Sequence, residues 1–115
     1  MEKVITIDGR DVRFKSTAAT PLRYKAQFQS DFFVDLMAMS ALSRLQKKNG
    51  ELDMATLKNL DFDVFYNLLW VFAKTADKDL PDPMTWLDGF EEFPVFEIVQ
   101  DIQELIEKNL QSKKK

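Results

Sequence analysis

The stretch FDVFYNLLWVFAKTA, residues 62–76, decides the fold of this 115-residue chain. Before its last turn the polar residues are Asp63, Asn67 and Lys74, and at about 100° per residue these three fall on one narrow stripe of a helix. The rest of the circumference is apolar. A helix of this kind is either central in its fold or covered by another chain.

Helix signals precede this segment. Thr20, followed by Pro21, predicts the N-cap of a helix over residues 21–29, because proline at the first helical position loses no hydrogen bond. The side chains expected to face inward in this helix are Leu22, Tyr24, Ala26 and Phe28. Ser30 or Asp31 is expected to cap a second helix that runs to about residue 48, where Asn49-Gly50 supplies a left-handed end. A short helix is expected over residues 53–59.

Two further helices are expected after the central one. Asp82-Pro83 repeats the cap-and-proline signal and opens a short helix to about Gly89. Pro94 opens the last helix, whose apolar residues recur at the i, i+3, i+4 spacing of one buried face. These residues are Val95, Ile98, Val99, Ile102, Leu105, Ile106 and Leu110.

The first fifteen residues predict a β-hairpin at about residues 4–15. Ile5 and Ile7 in one strand, and Val12 and Phe14 in the other, alternate with polar residues around Asp8-Gly9. A four-residue loop would pair Ile7 with Val12, and a two-residue loop would offset the pairs while keeping the same apolar face. An isolated hairpin is marginal in water, so this one must pack on the helices. The fold class is therefore mainly α: an N-terminal β-hairpin packed on a bundle of about five helices. One domain is expected over residues 1–110, followed by a disordered basic tail at residues 111–115.

Composition excludes several classes of function. The chain has no histidine and no cysteine, which excludes Cys/His zinc sites, disulfides and histidine-dependent nucleophilic catalysis. The acidic loop with Asp77, Asp79 and Asp82 lacks the glycine and ligand spacing of a calcium loop. No catalytic residue, metal site or cofactor is expected, and the chain is not expected to be an enzyme.

The charges are unevenly distributed along the chain. Residues 1–60 hold ten Lys/Arg and seven Asp/Glu, a net charge of +3, whereas residues 61–115 hold six and twelve, a net charge of −6. The sequence pI near 5.0 argues against nucleic-acid binding. No apolar run approaches the roughly 20 residues that a membrane span requires, and the start of the chain does not match a signal peptide. A cytoplasmic protein without a membrane or nucleic-acid partner is expected, and the charge asymmetry would suit a homo-oligomer.

The aromatic content suggests an apolar interface. Ten phenylalanines, two tryptophans and five methionines occur in this small chain, more than a single small core is expected to hide. Surplus Met and Phe side chains suit the binding of an apolar partner. The candidate interface residues are Phe32, Phe33, Met37, Val64, Leu68 and Trp70.

Several segments in order resemble one protein family. Residues 5–10 (ITIDGR), 20–24 (TPLRY), 69–77 (LWVFAKTAD) and 86–90 (WLDGF) are similar to the tail assembly chaperones of phages and prophages with long, non-contractile tails, mainly from Gram-positive hosts. The resemblance covers about residues 4–108 and includes no catalytic signature.

The resemblance implies a non-catalytic chaperone that binds the tape measure protein and keeps it soluble while the tail is assembled. It also implies that a frameshifted longer form recruits the tail tube protein, with which the C-terminal lysine run is compatible. The location implied is the cytoplasm of the infected or lysogenic bacterium, and the mature virion is expected to lack the protein. The alternative is a small helical adaptor or inhibitor that binds one folded partner, such as an antitoxin-like or host-takeover protein.

Overall fold

The computed structural model describes residues 2–39 and 62–102, together with Leu105 and Glu107. Its elements in chain order are β1 (Glu2–Ile7), β2 (Arg10–Lys15), α1 (Thr20–Phe28), α2 (described over residues 32–39), α3 (Phe62–Ala76), α4 (Pro83–Asp88) and α5 (Val95–Asp101). The predicted helix over residues 53–59, the end of α2 and the C-terminal tail lie outside the described residues. The prediction of an N-terminal hairpin followed by helices is confirmed.

The hairpin has a two-residue turn, which is the second of the two predicted arrangements. Asp8 has φ 53° and Gly9 has φ 76°, so both central residues are left-handed, as a type I′ turn requires. Ile5 pairs with Val12, and Ile7 pairs with Arg10. The apolar face is as predicted: Ile5, Ile7 and Phe14 are buried, and Val12 packs against the core.

Helix α3 lies at the centre of the fold and has the predicted bounds. Every residue from Leu68 to Ala73 is at most 3% exposed, and strand β2 and helices α1, α4 and α5 all contact this helix. Helix α2 reaches it too, since the rings of Phe32 and Phe72 lie 6.0 Å apart. The described part of the fold is therefore arranged around one apolar helix, which is the first of the two alternatives that the sequence leaves open.

Helix α1 confirms two of its four predicted inward residues, Tyr24 and Phe28, and contradicts the other two, Leu22 and Ala26. Leu22 is 75% exposed and Ala26 is exposed, whereas Tyr24 is fully buried and Phe28 is half-buried. The Phe28 ring packs edge-on against Trp70 at 5.6 Å, and the Tyr24 ring contacts Phe32. Because aromatic side chains bury more area than Leu or Ala, the helix is rotated to bury its two rings.

The start of α1 also differs from the prediction. The N-cap is Ala19 and makes no side-chain hydrogen bond. Thr20 is instead buried within the first turn, where its hydroxyl accepts a hydrogen bond from the Thr17 N–H at 3.0 Å and lies 3.2 Å from the Thr75 hydroxyl. The Thr75 hydroxyl donates to the carbonyl of Val71 at 2.7 Å. The threonine therefore joins α1 to α3, and the helix begins one residue earlier.

The C-terminal part follows the sequence signals closely. Asp82 caps α4 and Pro83 occupies its first turn, as predicted. In α5, Ile98 and Val99 are buried, and the predicted inward residues Ile102 and Leu105 that follow are buried as well. The predicted inward residues Ile106 and Leu110 lie outside the described side chains.

We predict that Phe14 anchors the hairpin to the helices. Because its side chain is 0% exposed, Phe14→Ala is expected to lower the free energy of unfolding by about 3–5 kcal/mol. The matched control is Val4→Ala in the partner strand, where 53% exposure predicts a change of about 0.5 kcal/mol or less. Urea unfolding followed by circular dichroism measures both, and equal losses in the two variants would contradict the assigned packing.

Candidate protein-binding surface

Helix α2 presents apolar side chains to solvent. Phe32, Leu36 and Met39 are buried against the core, while Val34 is 61% exposed and Met37 is 55% exposed. Ala38 is also exposed and Phe33 is half-buried. At 100° per residue, these last four lie on one continuous side of the helix. We call this side, formed by Phe33, Val34, Met37 and Ala38, the α2 apolar face.

The polar residue of α2 is directed toward α1. Asp35 is the one polar side chain in residues 32–39, and its Oδ2 accepts hydrogen bonds from the Tyr24 hydroxyl at 2.7 Å and the Ser30 hydroxyl at 2.8 Å. An ordinary surface helix keeps its polar residues on the solvent side. On α2, over residues 32–39, the side that faces solvent carries apolar residues instead.

The α2 apolar face is fixed by a cap as well as by packing. Asp31, one of the two predicted caps, accepts hydrogen bonds from the N–H groups of Phe33 at 2.8 Å and Val34 at 3.1 Å. The Phe33 ring packs edge-on against Phe32 at 5.3 Å. These contacts set where α2 begins and therefore which residues it exposes.

In the described part of the chain, the other large apolar side chains that are strongly exposed lie on separate elements. Leu22 on α1, Met84 on α4 and Val4 on β1 are 75%, 71% and 53% exposed, and each belongs to a different element. Single exposed apolar residues are ordinary on protein surfaces. A continuous group is more informative, because contiguous apolar surface is typical of interaction sites.

The six candidate interface residues occupy two helices and three environments. Phe32, Leu68 and Trp70 are at most 3% exposed and belong to the core, and the Trp70 Nε1–H donates to the Pro81 carbonyl at 2.9 Å. Phe33 and Val64 are half-buried, and Met37 is exposed. A partner docked on this surface can touch only the last three.

Sequence reasoning missed Val34 as a surface residue. The signal was present, because Phe32, Leu36 and Met39 share one face at the i, i+4, i+7 spacing, and this places Val34 and Met37 together on the opposite side. Recognising it required knowing which of two apolar sides meets the core. Only the packed structure supplies that information.

The acidic loop uses its carboxylates locally. Asp77 Oδ1 accepts a hydrogen bond from the Asp79 N–H at 3.0 Å. Asp82 accepts from the Thr85 N–H at 3.2 Å and from the Thr85 hydroxyl at 2.6 Å. These Thr85 hydrogen bonds, the side-chain one foremost, hold the pKa of Asp82 below its ordinary value. Over residues 2–39 and 62–102, no group of three acidic residues is arranged to hold a metal ion.

A second feature is an open cavity of about 440 Å³ between β2 and the segment from Asp77 to Phe90. One end is closed by the hairpin turn. The Arg10 guanidinium donates to the Gly89 carbonyl and lies 4.2 Å from the Phe90 ring centre, and Asp8 accepts from the Glu91 N–H at 3.0 Å.

Elsewhere on the hairpin, a hydrogen bond from Arg13 lowers the pKa of Glu2.

Comparisons of the chain with protein-family models, curated proteins and solved structures find no match. Within the described residues, no helix combines the length and the apolar character that a membrane span needs.

We predict that Thr85 sets the pKa of Asp82. Thr85→Val removes the side-chain hydrogen bond and is expected to raise the pKa of Asp82 toward its ordinary value, with part of the shift retained because the Thr85 N–H still donates. In the native protein the contact stabilises α4 fully above the ordinary aspartate pKa, and this contribution is lost as the pH falls through the lowered pKa.

An NMR titration of the carboxyl carbons measures this effect. Thr17→Val is the control, since Thr17 is exposed at the start of α1 and makes no contact with Asp82. The assignment fails if the Asp82 pKa is the same in the native protein and in Thr85→Val.

Proposed function

We propose that this protein is a tail assembly chaperone of a long-tailed phage or prophage, which binds the tape measure protein and keeps it soluble during tail assembly. The observation that carries the proposal is the α2 apolar face, a continuous apolar surface on a helix whose one polar residue within the described range 32–39, Asp35, is directed toward α1. The resemblance of residues 4–108 to this chaperone family supplies the identity of the partner.

The chemistry of the α2 apolar face suits an apolar helical client. Burying a Val or Met side chain contributes about 1.5–3 kcal/mol, and part of this gain is offset by the ordering of both partners. A few such contacts give an affinity near the micromolar range. Met37 adds adaptability, because its unbranched side chain accommodates differently shaped partners. A chaperone that must later release its client needs a contact of moderate strength.

The remaining parts of the proposal come from the resemblance. A longer, frameshifted form would recruit the tail tube protein, and the chaperone would act in the cytoplasm of the bacterial host and be absent from the finished virion. The opposite net charges of the two halves of the chain would favour head-to-tail contacts between copies. The proposal assigns no catalytic step, cofactor or metal to this chain.

The test is co-expression with an insoluble, apolar helical fragment of a tape measure protein. The native chain is expected to bring the fragment into the soluble fraction. Val34→Asp and Met37→Asp, each placing a charge on the α2 apolar face, are expected to reduce the soluble fragment by about tenfold, because a desolvated carboxylate opposes burial.

Leu22→Asp is the matched control, since Leu22 is still more exposed but lies on α1. This variant is expected to solubilise the fragment as well as the native chain does. Equal activity of all the variants would remove the α2 apolar face from the proposal, and failure of the native chain at every ratio would count against the chaperone function. Capture of one folded partner at fixed stoichiometry would favour the adaptor alternative.

A further inference from the structure

The cavity beside the hairpin runs along the outer edge of β2. Four consecutive residues, 10–13, line it, and none of the described lining residues belongs to β1. Successive side chains of a strand point to opposite faces of the sheet. Four consecutive residues can therefore line one cavity only where the cavity lies along the edge of the strand and not over one face of the sheet. The strand edge that faces away from β1 forms this wall.

The hairpin register identifies the backbone groups on this edge. Ile7 and Arg10 flank a two-residue turn and pair with each other, and Ile5 pairs with Val12. In such a hairpin these are the hydrogen-bonded pairs, and the residues between them direct their N–H and C=O groups outward. Asp11 and Arg13 are those residues. In the part of the chain that the structure describes, their backbone groups have no hydrogen-bond partner beyond the hairpin.

The opposite wall of the cavity is largely apolar. Ala73, Leu80, Pro81 and Trp86 line it from α3, α4 and the loop between them. Charged side chains of both signs are present among the lining residues, with Arg13 opposite in sign to Asp11 and Asp77. A ligand here meets backbone donors and acceptors on one side and apolar surface on the other.

We propose that this cavity binds an extended peptide segment of another protein, which pairs with Asp11 and Arg13 as a third strand and places an uncharged apolar side chain against Leu80 and Pro81, the accessible part of the apolar wall. A strand has outward donors and acceptors at the matching two-residue spacing, whereas a helix satisfies its own backbone groups. The mixed charge of the lining favours an uncharged segment. This site is separate from the α2 apolar face and does not rest on the proposed chaperone function.

The probe is the acetylated and amidated pentapeptide Ser-Val-Thr-Val-Ser, titrated into the full-length ¹⁵N-labelled chain. The amide signals of Asp11 and Arg13 and the indole signal of Trp86 are expected to shift together. Arg13→Pro removes the outward N–H and is expected to weaken binding by about threefold to tenfold. Arg13→Ala removes only the side chain and is expected to bind within about twofold of the native chain.

A second measurement keeps the test independent of how the proline variant folds. N-methylation of the central threonine blocks hydrogen bonding along one edge of the peptide strand, and N-methylation of both valines blocks it along the other edge. One of the two methylated peptides is expected to lose binding to the native chain while the other retains it. The proposal is overturned if both methylated peptides bind like the parent, if Arg13→Pro and Arg13→Ala bind equally well, or if no signal shifts at millimolar peptide. It is also overturned if Arg13→Pro abolishes a self-association of the native chain, because a second copy would then be the occupant.

Discussion

The arrangement of the fold depends on burying the apolar surface of α3. This helix has apolar residues around most of its circumference, and no single neighbour can bury a surface of that kind. The hairpin covers one side through Phe14, α1 and α2 cover another through their aromatic rings, and α4 and α5 pack on the rest. Each of these elements is marginal alone, and each gains its stability from contact with the same helix.

The polar groups of the interior determine how the covering elements are oriented. Thr20 and Thr75 join α1 to α3 by their hydroxyls, and Asp35 turns the polar side of α2 toward Tyr24. A carboxylate directed inward leaves a helix with apolar residues outside. The proposed binding surface thus follows from a hydrogen bond on the opposite side of the helix, because the orientation that satisfies Asp35 also exposes Val34 and Met37.

Much of this architecture follows from local sequence rules. The alternation of Ile5, Ile7, Val12 and Phe14 predicts the face of the hairpin in either turn arrangement, and the composition of residues 62–76 predicts the central helix and its bounds. Asp82 caps α4 as its position before a proline predicts. These features depend on neighbours a few residues apart, which are visible in a single sequence.

The orientation of α1 and the exposed side of α2 were not predictable in the same way. Helix α1 has two apolar sides, one with Leu22 and Ala26 and the other with Tyr24 and Phe28. The second side faces the core because Tyr24 and Phe28 contact the rings of Phe32 and Trp70, which belong to other helices. Periodicity likewise cannot distinguish a residue buried in its own core from one buried by a partner. For that reason the sequence pattern alone does not separate Phe32, Leu68 and Trp70, which lie in the interior, from Met37, which is exposed.

The left-handed turn at Asp8 and Gly9 fixes the register between β1 and β2. A strand alternates its side chains with a period of two, so a shift of one residue in the pairing of β2 with β1 would exchange the inner and outer residues of β2. Phe14 would leave the core while charged neighbours entered it. The turn therefore does more than connect the strands, since by fixing the register it decides which side chains of β2 reach the interior.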